Sequence, residues 1–206
     1  MKNTVLAVFC TIMAAMPVLT GCSARNGIPA FTEDELAIIA GHGVMRVLTV
    51  SDSEDSLVLR TVCEDISDAD LRSEAFSNLA ERMIETVTDS MQDGVGIAAP
   101  QIGLSRRLVA VMRYDKEGMP FEIYPNIRIE CFSSGKQSGL EGCLSIPEKS
   151  GNVERSEWVV ISYTDPSSLE IVRDTVEGYT AVIFQHEADH LDGVLFTDRM
   201  NGNCPN

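Results

Sequence analysis

The chain has 206 residues, 44% of them hydrophobic and 23% charged, which suits one compact domain and excludes disorder over most of its length. Its formal charge of −15, from 31 Asp and Glu against 16 Lys and Arg, excludes nucleic acid as a partner, because polyanions bind by exchanging counterions for clustered cations. Six cysteines are too sparse to form a disulfide framework in a chain long enough to bury its own core.

The first element in chain order is an address. After Lys2 no charge occurs until Arg25, the stretch from Val5 to Leu19 is mostly apolar, and small residues follow it, which is the pattern of a secretory signal. Leu19-Thr20-Gly21-Cys22 resembles a bacterial lipobox, and the resemblance implies cleavage before Cys22 and acylation of Cys22. An uncleaved membrane anchor is the alternative, since the uncharged stretch nearly matches a bilayer core of about 30 Å. This reading divides the chain into a signal peptide at 1–21, a tether at 22–40 and a folded domain at 41–206. The expected location is outside the cytoplasm, at the periplasmic or cell surface, or the cytoplasm if the leader is not a functional signal. So acidic a domain repels anionic lipid, and its only expected membrane contact is the lipid anchor.

Residues 68–92 place Leu71, Phe76, Leu79, Met83, Val87 and Met91 at spacings of three to five, which predicts one amphipathic helix ended by Gly94 and Gly96. The β-branched and aromatic runs at 108–114, 121–132, 158–163 and 169–176 predict antiparallel strands. A second helix, buried, is expected from a Thr180 cap to the Asp192-Gly193 stop. A monomer is expected.

That second helix carries Gln185-His186-Glu187-Ala188-Asp189-His190. At about 100° per residue the two His share one face and can share a metal, while Glu187 can reach a water beside it as general base. Two core histidines with a chance Glu between them is the plainer alternative. His42 has no partner pattern and reads as an exposed loop residue. A catalytic metal ordinarily has three protein ligands and one open position, so a third ligand is needed. Cys143, in Gly139-Leu140-Glu141-Gly142-Cys143-Leu144-Ser145-Ile146-Pro147, is a candidate because flanking Gly and Pro suit an irregular backbone that aims a thiolate. A buried structural Cys is the other reading. In Gly94-Val95-Gly96-Ile97-Ala98-Ala99-Pro100-Gln101 the small residues let another backbone approach, and Gln101 offers an amide to an oxyanion. Taken alone, this stretch is an ordinary turn sequence.

Together and in this order the three stretches resemble the peptide deformylase family, whose signatures G-x-G-x-A-A-x-Q, E-G-C-x-S and Q-H-E-x-D-H are all present. Similarity continues through Tyr124-Pro125-Asn126-Ile127 and from Leu191 to Arg199, covering roughly residues 45–200. The resemblance implies an α+β fold with antiparallel sheets around a central helix bearing the two His. It implies Cys143, His186 and His190 as ligands of one divalent metal, Fe(II) by family habit, with Zn(II), Ni(II) or Co(II) able to take its place. It further implies Glu187 as acid/base, Gln101 and the Leu144 backbone N–H as oxyanion donors, and Val95 and Gly96 as the edge that pairs with a formylated peptide. The product would be formate. Ile183 is a candidate for the methionine pocket, with core packing its alternative, and Glu141, Asp189 and Arg155 are candidate supports of the ligands, with ordinary ion pairing as theirs.

Two departures bear on the substrate. The family works in the cytoplasm on nascent chains, whereas this chain opens on an export pattern and ends at Asn206, without the basic C-terminal helix that would dock on ribosomal RNA. An oxidising compartment also threatens Fe(II) and a free Cys143, favours Zn(II), and leaves Cys63, Cys131 and Cys204 able to pair or stay reduced. The competing readings are a non-catalytic surface lipoprotein that binds formyl peptides or metal, and a zinc peptidase, which the E-G-C-x-S stretch disfavours.

Overall fold

Side-chain caps write the helix starts into the first part of the chain. In α1 (Glu33–Ile39), Thr32 Oγ1 accepts the Glu35 N–H while Glu35 returns the bond to the Thr32 N–H at 2.7 Å, satisfying two amides that the first turn leaves open. Asp52 caps α2 (Ser53–Leu59), Ser67 caps α3 (Asp68–Leu71) and Ser73 caps α4 (Glu74–Thr88). The structure, a computed structural model, describes residues 27–200. The leader, the lipobox with Cys22, and Cys204 lie outside the described residues. No described helix is long and apolar enough to cross a membrane.

The single helix expected over 68–92 is instead two. Ser73 adopts extended backbone and takes the Phe76 N–H at 3.1 Å, so the chain stops and restarts there. The second piece ends at Thr88, ahead of the glycines, because Asp89 is extended and its carboxylate takes the Met91 N–H at 2.9 Å. Met91 therefore leaves the apolar stripe and stands exposed, while Phe76, Leu79, Met83 and Val87 are buried as the periodicity requires. Within the stretch read as a tether, Phe31 and Ile39 join the same core, so the chain packs on the domain from Phe31 onward.

Among the described residues there are eight strands, all antiparallel to their sheet neighbours. β1 (Gly96–Ala98), β2 (Leu108–Met112) and β3 (Phe121–Pro125) form one sheet in that order. β4 (Arg128–Phe132), β7 (Trp158–Thr164) and β8 (Ile171–Glu177) form a second, and β5 (Lys136–Cys143) pairs with β6 (Ile146–Ser156) as a hairpin. The run read as one strand over 121–132 is broken at Asn126, whose φ of 56° is left-handed. Its side chain accepts the Ile66 N–H at 2.6 Å and donates to Ile66 O at 3.0 Å. Those bonds hold the turn that carries the chain from the first sheet to the second. β1 and the hairpin were not expected from sequence: β1 is only three residues long, and the hairpin is rich in Gly, Ser and charge and largely exposed, so neither shows a period-two pattern.

α5 (Gly178–Leu191) lies between the two three-stranded sheets, touching β1 and β2 on one side and β4, β7 and β8 on the other. A helix walled in this way is buried on most faces, which is why its sequence lacks a polar stripe. It starts at Gly178, with φ of 60°, rather than at a Thr180 cap; Thr180 is already inside and buried. It ends at Leu191, against the expected Asp192-Gly193 stop; Gly193 has φ of 69°, and a Cβ there would sit 2.5 Å from Arg60 O.

Candidate metal centre

Two elements bring the ligand candidates together. His186 and His190 project from one face of α5, and Cys143 ends β5, where a shift of register between Gly142 and Cys143 turns the thiol inward. The irregular backbone expected around Cys143 is confined to that bulge and the two-residue turn after it. One donor atom from each of the three residues lies within 4.8 Å of the others, and Cys143 Sγ is 3.2 Å from His190 Nε2. Among the described residues this is the one group of three or more His, Cys, Asp and Glu able to hold a metal. Cys63 is buried, its thiol pushed up to about 12 by burial, and Cys131 is exposed; both are free. His42 is exposed on its loop, as its sequence context suggested.

A buried ion-pair relay holds the first histidine. His186 Nδ1 donates to Glu141 at 2.9 Å, which leaves Nε2 for a metal. Arg155 grips Glu141 through two bonds, at 2.8 and 3.0 Å, and reaches Asp189 at 2.5 Å; Arg199 closes on Asp189 from the other side. Burial works against charge on Glu141, yet the bonds from His186 and Arg155 hold its carboxyl at about 2, so it stays ionised. Glu141, Asp189 and Arg155, singled out from sequence, are thus one network; Arg199 completes it.

The site suits a cation. Burial pulls His186 down, but Cys143, Glu141 and Glu187 together push it up to about 10, so the chain supplies an excess of negative charge there. Burial, with His186 and Arg155, keeps His190 well below its usual value and hence neutral, as a ligand must be. The buried Glu187 Oε2 has no hydrogen-bond partner among the described residues, as suits a carboxylate that meets a bound water or substrate. Burial lifts Glu187 to about 7, a value matched to proton transfer near neutrality.

Beside these groups opens a cleft of about 430 Å³ lined by Gly94, Val95, Gly96, Gln101, Leu144 and Ile183 among others. Gln101 is oriented by its own 3-10 turn: Oε1 accepts the Ala98 N–H at 2.8 Å, which aims Nε2 at Cys143 Sγ, 3.6 Å away, and at Ser145 Oγ, 3.3 Å away. Ser145, fully buried, holds that amide in place; it was visible in the E-G-C-x-S stretch but unassigned. Gly96 is required by the base itself, since a Cβ there would lie 2.5 Å from Glu187 Oε1 and 2.8 Å from Ile183 Cγ2. The segment before α2 ties the two loops together, Leu48 N–H bonding Gln101 O at 2.7 Å and Val50 N–H bonding Ser145 O at 3.0 Å.

Three candidate metal ligands, an unpaired carboxylate, an aimed amide and an open cleft are the arrangement of a metal-dependent hydrolase. The sequence profile of the polypeptide deformylase family matches residues 44–206. The peptide deformylase of Leptospira biflexa is 37% identical over 150 residues, spanning 69% of this chain and 82% of its own. The class I type b peptide deformylase of Acinetobacter baumannii, in its structure bound to Met-Ala-Ser, is 36% identical with a TM-score of 0.68, covering 76% of this chain and 98% of that one. The Thermotoga maritima peptide deformylase structure gives 35% identity and a TM-score of 0.66, over 77% and 99%. The chain belongs to the polypeptide deformylase family, metallohydrolases that remove the N-formyl group from peptides.

Proposed function

We propose that this protein releases formate from N-formylmethionyl peptides at the Cys143-His186-His190 centre. The observation that carries the reading is the buried, unpartnered Glu187 carboxylate beside those three ligands and under the Gln101 amide. Cys143, His186 and His190 would hold a divalent ion, which would supply Lewis acidity at neutral pH. Glu187 accepts a proton from the attacking water and returns it to the leaving amine. Gln101 Nε2 and the Leu144 N–H stand as donors where negative charge develops on the formyl oxygen, and removing one such donor typically costs about 2.7–4 kcal/mol of barrier. β1 pairs on one side only, and Val95 and Gly96 line the cleft along its open edge, so an extended peptide can add there as a strand. Ile183 is buried in the core and also lines the cleft, which supports it as a wall of the methionine pocket.

Formate release from formyl-Met peptides by metal-loaded protein tests this reading, with Glu187→Gln expected to lose about 10²–10⁴-fold in rate while keeping its metal. No release from fully metallated wild type refutes it.

The ion is Fe(II) by family resemblance and Zn(II) if the domain works in an oxidising compartment; metal analysis of protein from the native cell distinguishes them. The leader supports export and anchoring through Cys22, with formylated peptides outside the cytoplasm as substrate. Membrane-bound protein acylated at Cys22 is the expected finding, and intact Met1 in cytosolic protein overturns it.

A further inference from the structure

Exposure sorts the cleft by depth. Gln101 and Glu187, at 2% and 4%, form its floor, whereas Leu140, Met91 and Tyr179, at 72%, 86% and 52%, stand around its mouth. Tyr179 is braced from outside by Tyr114, the rings meeting edge to face at 5.1 Å, and Tyr114 is itself exposed. Single exposed apolar side chains are ordinary, but several ringing one opening mark a contact surface. Rotational freedom is also restricted: an aromatic pair loses little entropy on binding compared with flexible charged side chains. A peptide whose formyl group reaches Glu187 has to leave past this rim along the edge of β1, its successive side chains turning alternately to either side.

We propose that Leu140 and Tyr179, with Tyr114 as a positioning residue, select substrates carrying large apolar side chains on the residues that follow the formylated one. The proposal rests on the deformylase reading above and adds a preference that the floor of the site cannot exert. A rim this open covers only part of each incoming side chain, so discrimination falls at the low end of that for a closed apolar pocket, about tenfold.

The test compares kcat/KM for formyl-Met-Leu-Leu and formyl-Met-Ser-Ser on metal-loaded protein. Wild type is expected to favour the first about tenfold, and Leu140→Ser and Tyr179→Ser each to bring the ratio down to about twofold. Because each ratio is taken within one protein, a general loss of activity cancels. Inhibition of the wild type by deformylated Met-Leu-Leu against Met-Ser-Ser needs no variant and should follow the same order. Equal turnover of the two peptides by wild type, or an unchanged ratio in both variants, overturns the rim proposal and leaves the deformylase reading intact. Turnover of neither peptide overturns both.

Discussion

Adding one methyl group at Gly96 is expected to disable the site without touching a ligand. The Cβ of Gly96→Ala would lie 2.5 Å from Glu187 Oε1, against about 3.4 Å for ordinary contact, so the carboxylate has to retreat by about 0.9 Å. It cannot carry the backbone with it, because α5 is wedged between two sheets, nor turn toward Ile183, whose Cγ2 is 2.8 Å from the same Cβ. A misplacement of about 1 Å at a reacting group costs on the order of 10²-fold, equivalent to about 2.7 kcal/mol of barrier. Overpacking should add a stability loss of about 1–3 kcal/mol. The assay is kcat/KM for formate release, with metal content and thermal midpoint measured on the same samples. Gly139→Ala serves as control, since its Cβ meets nothing within 4 Å. Folded, metal-replete Gly96→Ala protein with wild-type kcat/KM would refute the argument, because the carboxylate would then have a position it can yield at no cost.

Arg155→Met leaves Glu141 buried and unpaired on one side, and should destabilise the fold by about 3–5 kcal/mol and weaken metal binding about 10–100-fold, read by urea titration and metal competition. Stripping the ion with a chelator should lower the thermal midpoint by roughly 8–16 °C at an ion concentration about a thousandfold over Kd, reversibly on re-addition. Asp115, held at about 2 chiefly by its bonds from Arg113, favours folding while ionised. Its stabilising effect is complete above its ordinary value of 3.8 and disappears as pH falls toward 2, so Asp115→Asn should flatten the acid limb of a stability profile between those values while leaving the neutral limb parallel to wild type.

The helical half of the candidate metal centre is legible before folding because its information is local. His186, Glu187 and His190 stand at helical spacing, and spacing alone decides that the two imidazoles share a face. The apolar period of Phe76, Leu79, Met83 and Val87 is legible for the same reason. The breaks were not: Ser73 and Asn126 act through side-chain bonds to backbone, and whether such a bond forms depends on where Phe76 and Ile66 lie. Nor was the hairpin, whose two exposed strands bury too little to impose alternation on their sequence.

For this protein the sequence by itself determined the donor types, their order along the chain, the acidity of the domain and the absence of charge from residues 3–24. Only the tertiary structure decided that Cys143 meets His190 from a strand 47 residues away, that Arg155 and Arg199 stabilise His186 through Glu141 and Asp189, and that Gly96 is glycine because Glu187 leans against it. Spacing along one helix is set by the backbone's own geometry, whereas distances between elements are set by packing, and packing is a property of the whole chain at once.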